Sequence, residues 1–177
     1  MIIKETKLKG SYIIKLSTKC DNRGYFNRLY CDKEFLKKKL NTKWVQVNLS
    51  SSKKIGTLRG LHIQMHASSE TKLIRCTRGM IWDVIVDLRK KSKTYGKWFG
   101  SFLSETNFQN IYVPKGFAHG YLSLKNNSQI VYLVSNYYNP KSEKVLAWND
   151  KDINIKWPIK PKIISSKDKK GISFKNF

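Results

Sequence analysis

Three histidines, His62, His66 and His119, are the side chains of this sequence best suited to acid–base chemistry. The unperturbed pKa of a histidine is near ~6.5, so its ring can remove a proton at neutral pH when a carboxylate orients it. Asp83 and Asp168 are the candidate carboxylates for that role. The pattern predicts a general base held by a histidine–aspartate pair.

A tyrosine and a lysine complete a set suited to moving protons on carbon. Tyr132 can return a proton as an acid, and Lys72 can stabilise the oxyanion that forms when a proton leaves a carbon next to a carbonyl group. We therefore predict proton removal and return through an enolate. Cations that could hold phosphates, and a tyrosine that could stack on a base, are Arg23, Arg59, Lys167 and Tyr138.

The segments around two of the histidines resemble the two halves of the cupin signature. The first half carries His62 and Gln64, and the second, PKGFAHG, carries His119. Metal-binding cupins place a second histidine at the Gln64 position and a glutamate a few residues later, whereas the nearest acid here, Glu70, lies further along. Two histidines fall short of the three or four ligands of a catalytic metal. His66 could add a third ligand, but its surroundings read as a loop, so we predict no metal and no cofactor.

Short strands must position these side chains, because turn signals separate apolar runs roughly every 8–12 residues along most of the chain. Residues two apart in a strand share a face, so Lys72 joins Ile74 and Asp83 joins Ile85. One polar group among apolar neighbours on each strand is typical of a barrel with a functional interior, although a polar group satisfied within the core gives the same pattern.

Many short strands with few helices predict an all-β sandwich or barrel, and the cupin resemblance implies a double-stranded β-helix, or jelly roll. One segment, CDKEFLKKKL, predicts a short N-terminal helix with Asp32 as its N-cap. The tail from about Trp157 is irregular and polar, and its isoleucines Ile163 and Ile164 suggest that it docks on the barrel.

Length and composition fit a single domain, residues 1–177, of 20.7 kDa. An apolar content of 40% excludes a wholly disordered chain. The net charge of +23 would suit a nucleic acid, an acidic membrane or a substrate that carries phosphates. Because 29 of the 35 cations are scattered lysines rather than arginine-rich stripes, we predict no nucleic-acid partner.

The cysteines and the apolar runs indicate the cellular compartment of the protein. Three cysteines lie at no metal-like spacing, no apolar run approaches a membrane span, and the start MIIKETKLKG lacks the apolar region of a signal peptide. We therefore predict a reduced, cytoplasmic protein with no membrane partner.

A series of motifs, in order along the chain, resembles one known family. The motifs are DNRGYF, QVN, RGLHIQ, PKGFAHG, WND, WP and SKD. From about Leu16 to Gly171 the sequence is similar to the dTDP-4-dehydrorhamnose 3,5-epimerases of deoxysugar synthesis. The resemblance implies epimerisation at C3 and C5 of a nucleotide-linked 4-keto-6-deoxyhexose through enolates, without metal or cofactor, by a homodimer that exchanges strands.

The resemblance also implies a role for each matching residue. His62 is implied as proton acceptor with Asp168 as its partner, and Tyr132 is implied as proton donor. Lys72 would meet the sugar 4-keto oxygen, and His119 would contact the sugar or a phosphate. The positions implied for the diphosphate and the nucleoside are Arg23, Arg59, Gln46, Val47, Asn48, Tyr138, Glu143 and Lys167.

Two positions depart from the family pattern. Arg28 stands where the family usually carries a glutamate near the nucleotide, and Leu133 stands where a lysine commonly follows the tyrosine. Arg28 remains a candidate substrate-binding residue, but a cation in place of a carboxylate leaves the identity of the nucleotide open. Two alternatives also stay open: an epimerase that acts at C3 or C5 only, and a sugar-nucleotide-binding cupin without activity.

Overall fold

A computed structural model describes residues 1–177, which form short strands with two short helices and two 3₁₀ turns. The strands are β1 Ile2–Glu5, β2 Tyr12–Lys15, β3 Lys19–Asp21, β4 Gly24–Phe26, β5 Gln46–Ser52, β6 Thr57–Gln64, β7 Lys72–Arg78, β8 Met80–Asp87, β9 Trp98–Ser104, β10 Gln109–Val113, β11 Phe117–Ser123, β12 Ser128–Val134, β13 Glu143–Val145 and β14 Ile163–Ile164. The helices are α1 Asp32–Lys37 and α2 Ser166–Lys169, and the 3₁₀ turns span His66–Ser68 and Phe174–Asn176. Neither helix has the length and apolar character needed to cross a membrane.

The strands form two large sheets and a separate hairpin. The first sheet has the order β1-β2-β10-β7-β12-β5, and the second has the order β13-β6-β11-β8-β9 with β14 parallel beside β6. The hairpin of β3 and β4 belongs to neither sheet. The predicted all-β, jelly-roll class is confirmed.

The main core lies between the two large sheets. It contains apolar side chains from β7, β10 and β12 of the first sheet and from β8, β9 and β11 of the second. Ile81 and Ile85 of β8 point into this core, while Val84 and Val86 point to the outer face of the second sheet, as the alternation predicts. The inter-sheet space is therefore apolar through much of its depth, and polar side chains within it require a specific reason.

The short helix α1 covers the outer face of the first sheet. Phe35 is fully buried there beside Leu73 and Tyr112, as expected for the apolar face of a helix. The prediction of Asp32 as N-cap is wrong, because the cap is Cys31 and Asp32 is the first helical residue. The Asp32 carboxylate accepts a hydrogen bond from the N–H of its neighbour Lys33 instead of reaching the next turn.

The C-terminal tail packs on the outer face of the second sheet. Trp157 and Phe174 of the tail pack there against an apolar cluster that includes Ile153 and Ile155, which lie just before the tail. The tail then returns to the sheet, where Ile163 and Ile164 pair with β6 in parallel, and α2 follows at once. Because the tail pairs with β6, the helix α2 that follows lies next to β6.

Two facing glycines allow β6 and β11 to approach closely at the point where both strands carry a histidine. A Cβ atom on Gly60 would lie 2.7 Å from Gly120 Cα, and one on Gly120 would lie 2.7 Å from the carbonyl oxygen of Arg59. The pairing of the two strands shifts register between His119 and Tyr121. Glycine at both positions is therefore required by the space available.

We expect Gly120→Ala to destabilise the protein by about 1–3 kcal/mol, because the added methyl group would meet backbone that cannot move without separating β6 from β11. The urea midpoint of unfolding measures this loss, and Thr77→Ala, at an exposed position of β7, serves as the control. An unchanged midpoint for Gly120→Ala would show that the two strands have room that the structure does not indicate.

Candidate active site

His62 and His119 are register partners on neighbouring antiparallel strands of the second sheet. Each is held by its own carboxylate: His62 Nε2 lies 2.7 Å from Asp168 Oδ1, and His119 Nε2 lies 2.8 Å from Asp83 Oδ2. Asp83 comes from the adjacent strand β8, whereas Asp168 comes from α2 in the tail. Both candidate carboxylates are therefore used, one for each histidine.

The His62–Asp168 pair has the geometry of a general base. The second oxygen of Asp168 accepts a hydrogen bond from the backbone N–H of Gly60 at 3.1 Å. Burial acts to raise the pKa of Asp168, but the hydrogen bonds from His62 and Gly60 outweigh it, so the pKa is lowered and the group is a carboxylate at neutral pH. Because His62 Nε2–H is donated to this carboxylate, Nδ1 is the ring nitrogen left to accept a proton.

The lowered pKa of Asp168 makes its contribution to stability depend on pH. The unfolded reference is 3.8, so the contribution is complete above that pH and is lost as the pH falls through it toward the lowered native value. We expect Asp168→Asn to lower the urea midpoint of unfolding at pH 7. At pH 3 the difference in midpoint between the variant and the wild type should be smaller. Asp152→Asn, at a half-exposed carboxylate, is the control, and a midpoint difference for Asp168→Asn that is equal at both pH values would contradict the prediction.

The opposite wall of the site comes from the first sheet. Tyr132 lies on β12 and Lys72 on the neighbouring strand β7, and Lys72 forms an ion pair with Glu70. Burial, followed by the negative charge of Glu70, raises the pKa of Tyr132. The phenol is therefore protonated at neutral pH and can act as an acid.

Two adjoining cavities meet at three residues, His62, Lys72 and Tyr132, which line both of them. The first cavity, of about 460 Å³, is also lined by Arg59, His119, Tyr121, Lys167 and Asp168. The second, of about 320 Å³, is also lined by Gln46, Asn48, Gln64, Glu70, Tyr138 and Glu143. The base, the acid and the cation predicted from sequence thus stand at the junction of one elongated cleft between the sheets.

A connected polar cluster closes the side of the cleft. The Tyr138 hydroxyl donates to Glu143 Oε2 at 2.8 Å, and Lys167 Nζ donates to the same oxygen at 2.5 Å. Burial acts to raise the pKa of Glu143, but these two hydrogen bonds outweigh it and the pKa is lowered. Gln46 Oε1 accepts from the backbone N–H of Tyr138 at 2.9 Å and so joins β5 to the cluster.

The whole chain matches known proteins with this architecture. The family model for dTDP-4-dehydrorhamnose 3,5-epimerase matches residues 5–176. A curated relative of that name from Shigella flexneri is 38% identical over 175 residues, which are 98% of this chain and 96% of the relative. The chain belongs to the dTDP-4-dehydrorhamnose 3,5-epimerase family. It is therefore an isomerase.

Solved structures of the family agree with this fold over nearly its full length. The crystal structure of dTDP-4-dehydrorhamnose 3,5-epimerase from Elizabethkingia anophelis is 42% identical with a TM-score of 0.95, and the match covers 100% of this chain and 99% of that one. The dTDP-6-deoxy-D-glucose-3,5-epimerase from Legionella pneumophila, solved in complex with dTDP-4-keto-L-rhamnose, is 34% identical with a TM-score of 0.89. That match covers 94% of this chain and 89% of the other.

Three of the candidate substrate-binding residues lie outside the cleft of this epimerase chain. Arg23, in the β3–β4 hairpin, is exposed and pairs with Asp21, and Arg28 is exposed after β4. Val47 is 66% exposed, because alternation along β5 turns it away from the face that carries Gln46 and Asn48. Within one chain these three residues do not line the cleft, and their contact with the substrate stays a prediction.

Two polar side chains of the cleft were not given a role by the sequence. Gln64 stands at the cupin metal-ligand position, but its side chain accepts from the Asn139 N–H at 2.6 Å and donates to the Tyr137 carbonyl at 3.1 Å, so it ties a loop. No three His, Cys, Asp or Glu side chains are grouped as metal ligands. Glu70 lines the cleft beside Lys72, and its spacing of two residues from that lysine was the signal that could have found it.

Proposed function

We propose that the chain epimerises C3 and C5 of a nucleotide-linked 4-keto-6-deoxyhexose, converting dTDP-4-dehydro-6-deoxyglucose to dTDP-4-dehydrorhamnose. The observation that carries this proposal is the junction of the two cavities, which three residues from two sheets line in common. There His62, on one sheet, stands with Tyr132 and Lys72, on the other. A base and an acid on opposite walls are what inversion of a carbon centre requires.

The residues support a two-step exchange of protons. His62 Nδ1 removes a proton from the carbon next to the 4-keto group. The C–H electron pair stays on the substrate and forms the enolate, whose charge rests largely on the oxygen beside Lys72. Tyr132 then gives its hydroxyl proton to the opposite face of the same carbon. Solvent returns a proton to the phenolate and removes one from the imidazolium, which resets the site. One set of residues serves both carbons if the sugar changes its pose between them.

The remaining cleft residues are assigned to the nucleotide. Arg59 and Lys167 hold the diphosphate, and His119, fixed by Asp83, contacts the sugar or a phosphate. Tyr138 stacks on the base beside Glu143, with Gln46 and Asn48 lining the nucleoside pocket. The Legionella relative, with dTDP-4-keto-L-rhamnose bound, supports this class of ligand.

The positions outside the cleft fit a homodimer with exchanged strands. Exposed apolar side chains follow the free edge strand β5 at Val47 and Leu49, and the hairpin exposes Tyr25 and Phe26. In such a dimer the hairpin, with Arg23 and Arg28 near it, would reach the cleft of the partner. The molar mass from light scattering tests this, with Val47→Lys plus Leu49→Lys expected to give monomers and a mass unchanged in that variant counting against it.

The remaining expectations complete the proposal. Residues 1–177 act as one epimerase domain in the cytoplasm, without metal, cofactor, membrane or nucleic-acid partner. Arg59, Lys72 and Lys167 are the cations with a task in the cleft, so a phosphate-bearing substrate accounts for few of the 35 cations.

Turnover in D₂O with a panel of 4-keto sugar nucleotides tests the reaction and the substrate together. Deuterium at both C3 and C5 of an inverted product, read by NMR, is the expected result. Label and inversion at one carbon alone would establish the narrower epimerase instead. Binding of the nucleotide without label at either carbon would establish the binding protein. Comparing turnover of substrates that carry dTDP, uridine diphosphate or other nucleoside diphosphates tests the nucleotide selectivity that Arg28 leaves open.

A further inference from the structure

Glu70 is a buried carboxylate in the cleft that the mechanism above does not place against the substrate. It lies between the first 3₁₀ turn and β7, and its side chain is only 8% exposed. Its one hydrogen bond and its one ion pair both go to Lys72 Nζ. Because the carboxylate bonds to no backbone group, it does not serve to anchor the loop in which it lies.

The backbone around Glu70 is held so that this carboxylate and Lys72 point the same way. The N–H of Thr71 donates to Ser135 Oγ at 2.8 Å, and the N–H of Ser135 donates to the Thr71 carbonyl at 3.1 Å. Thr71, which lies between Glu70 and Lys72 in the chain, is buried. In extended backbone, residues two apart share a face, so Glu70 and Lys72 both line the cleft.

A lysine at this place needs support that a stiffer side chain would not need. Its ammonium sits on a four-carbon stem with several rotatable bonds, and stabilisation of a developing oxyanion depends on a donor that is already in position. The Lys72 side chain is 11% exposed, so solvent provides little of the hydrogen bonding that its three N–H groups require. Glu70 is its only ion-pair partner in the chain.

We propose that Glu70 is the positioning residue of Lys72, holding the ammonium where the enolate oxygen develops. The inference rests on the proposed function, since it assigns Lys72 to that oxygen. It adds a residue that does not touch the substrate and whose main effect on the reaction passes through Lys72. Loss of that support acts on the transition state, where charge collects on oxygen, more than on binding of the nucleotide.

The test is a series of substitutions at Glu70 with kcat and KM measured separately. We expect Glu70→Ala to lower kcat about 10- to 100-fold with little change in KM, because a displacement near 1 Å at a reacting group costs on that order. Glu70→Gln keeps the length and an oxygen acceptor and should restore most of kcat. Glu70→Asp keeps the charge but is too short to reach, so it should resemble Glu70→Ala. Glu5→Ala, at an exposed glutamate, is the control.

A double-mutant cycle with Lys72→Met separates positioning from a general effect on the fold. In the Lys72→Met background, Glu70→Ala should cost little further in kcat, because the side chain that it positions is already gone. The same fold-loss in both backgrounds would overturn the inference, as would a Glu70→Ala enzyme with wild-type kcat. If the wild type itself turned over no 4-keto sugar nucleotide, the proposed function would fail and the inference with it, whereas an active wild type with an unaffected Glu70→Ala rejects the inference alone.

Discussion

Replacement of His62 by asparagine is expected to lower turnover about 10²- to 10⁴-fold, the usual contribution of a general base. Asparagine can still donate to Asp168, but its amide cannot take a proton from carbon. The Asp168 carboxylate, 2.7 Å from His62 Nε2, also stabilises the imidazolium that forms when the proton is taken, and that effect is lost with the ring. Without the base, the proton is not removed and no enolate forms for Tyr132 to protonate. The hydrogens at C3 and C5 should therefore not exchange with solvent.

The measurement is deuterium uptake from D₂O at C3 and C5, with dTDP affinity determined in parallel. Affinity should stay near that of the wild type, because the nucleotide is assigned to Arg59, Lys167 and Tyr138 rather than to His62. His66→Asn is the matched control, since His66 is exposed on the first 3₁₀ turn and its left-handed backbone, with φ at 54°, suits asparagine. Turnover retained by His62→Asn would falsify the assignment of the base.

Replacement of Tyr132 by phenylalanine is expected to separate the two proton steps. The partly buried ring keeps its packing against the inter-sheet core, but no hydroxyl remains to deliver a proton to the second face. Formation of inverted product should fall about 10²- to 10⁴-fold. His62 still forms the enolate, and because its side chain is 34% exposed, the imidazolium can exchange its proton with solvent before returning it. Recovered substrate should therefore carry deuterium without inversion.

Mass spectrometry and NMR of the recovered substrate give the two quantities needed. Tyr95→Phe, whose ring packs on Phe174 away from the cleft, is the matched control and should invert and exchange as the wild type does. Inversion at the wild-type rate by Tyr132→Phe would mean that another group delivers the proton. Absence of deuterium from recovered substrate would mean that Tyr132 acts before the enolate forms, as the base rather than the acid.

Docking of the C-terminal tail could be predicted from the sequence, but the residue that the tail brings to the active site could not be predicted from spacing alone. Its isoleucines indicated docking, and the structure confirms it, with Trp157 on the outer apolar cluster and Ile163 and Ile164 paired to β6. Docking alone did not reveal that α2 then places Asp168 against His62, a residue 106 positions earlier in the chain. From spacing alone, Asp83 and Asp168 were equal candidates, and the structure uses each for a different histidine.

The sequence by itself determined the fold class, the face of each strand and the presence of a His, Tyr, Lys and Asp set. Alternation along a strand is local, with a period of two, and can be read from neighbours. Only the tertiary structure decided which side chains share the cleft, because stacking of the sheets and return of the tail join segments distant in the chain. It placed Asp168 against His62 and Asp83 against His119, and it left Arg23 and Arg28 on the surface of the single chain.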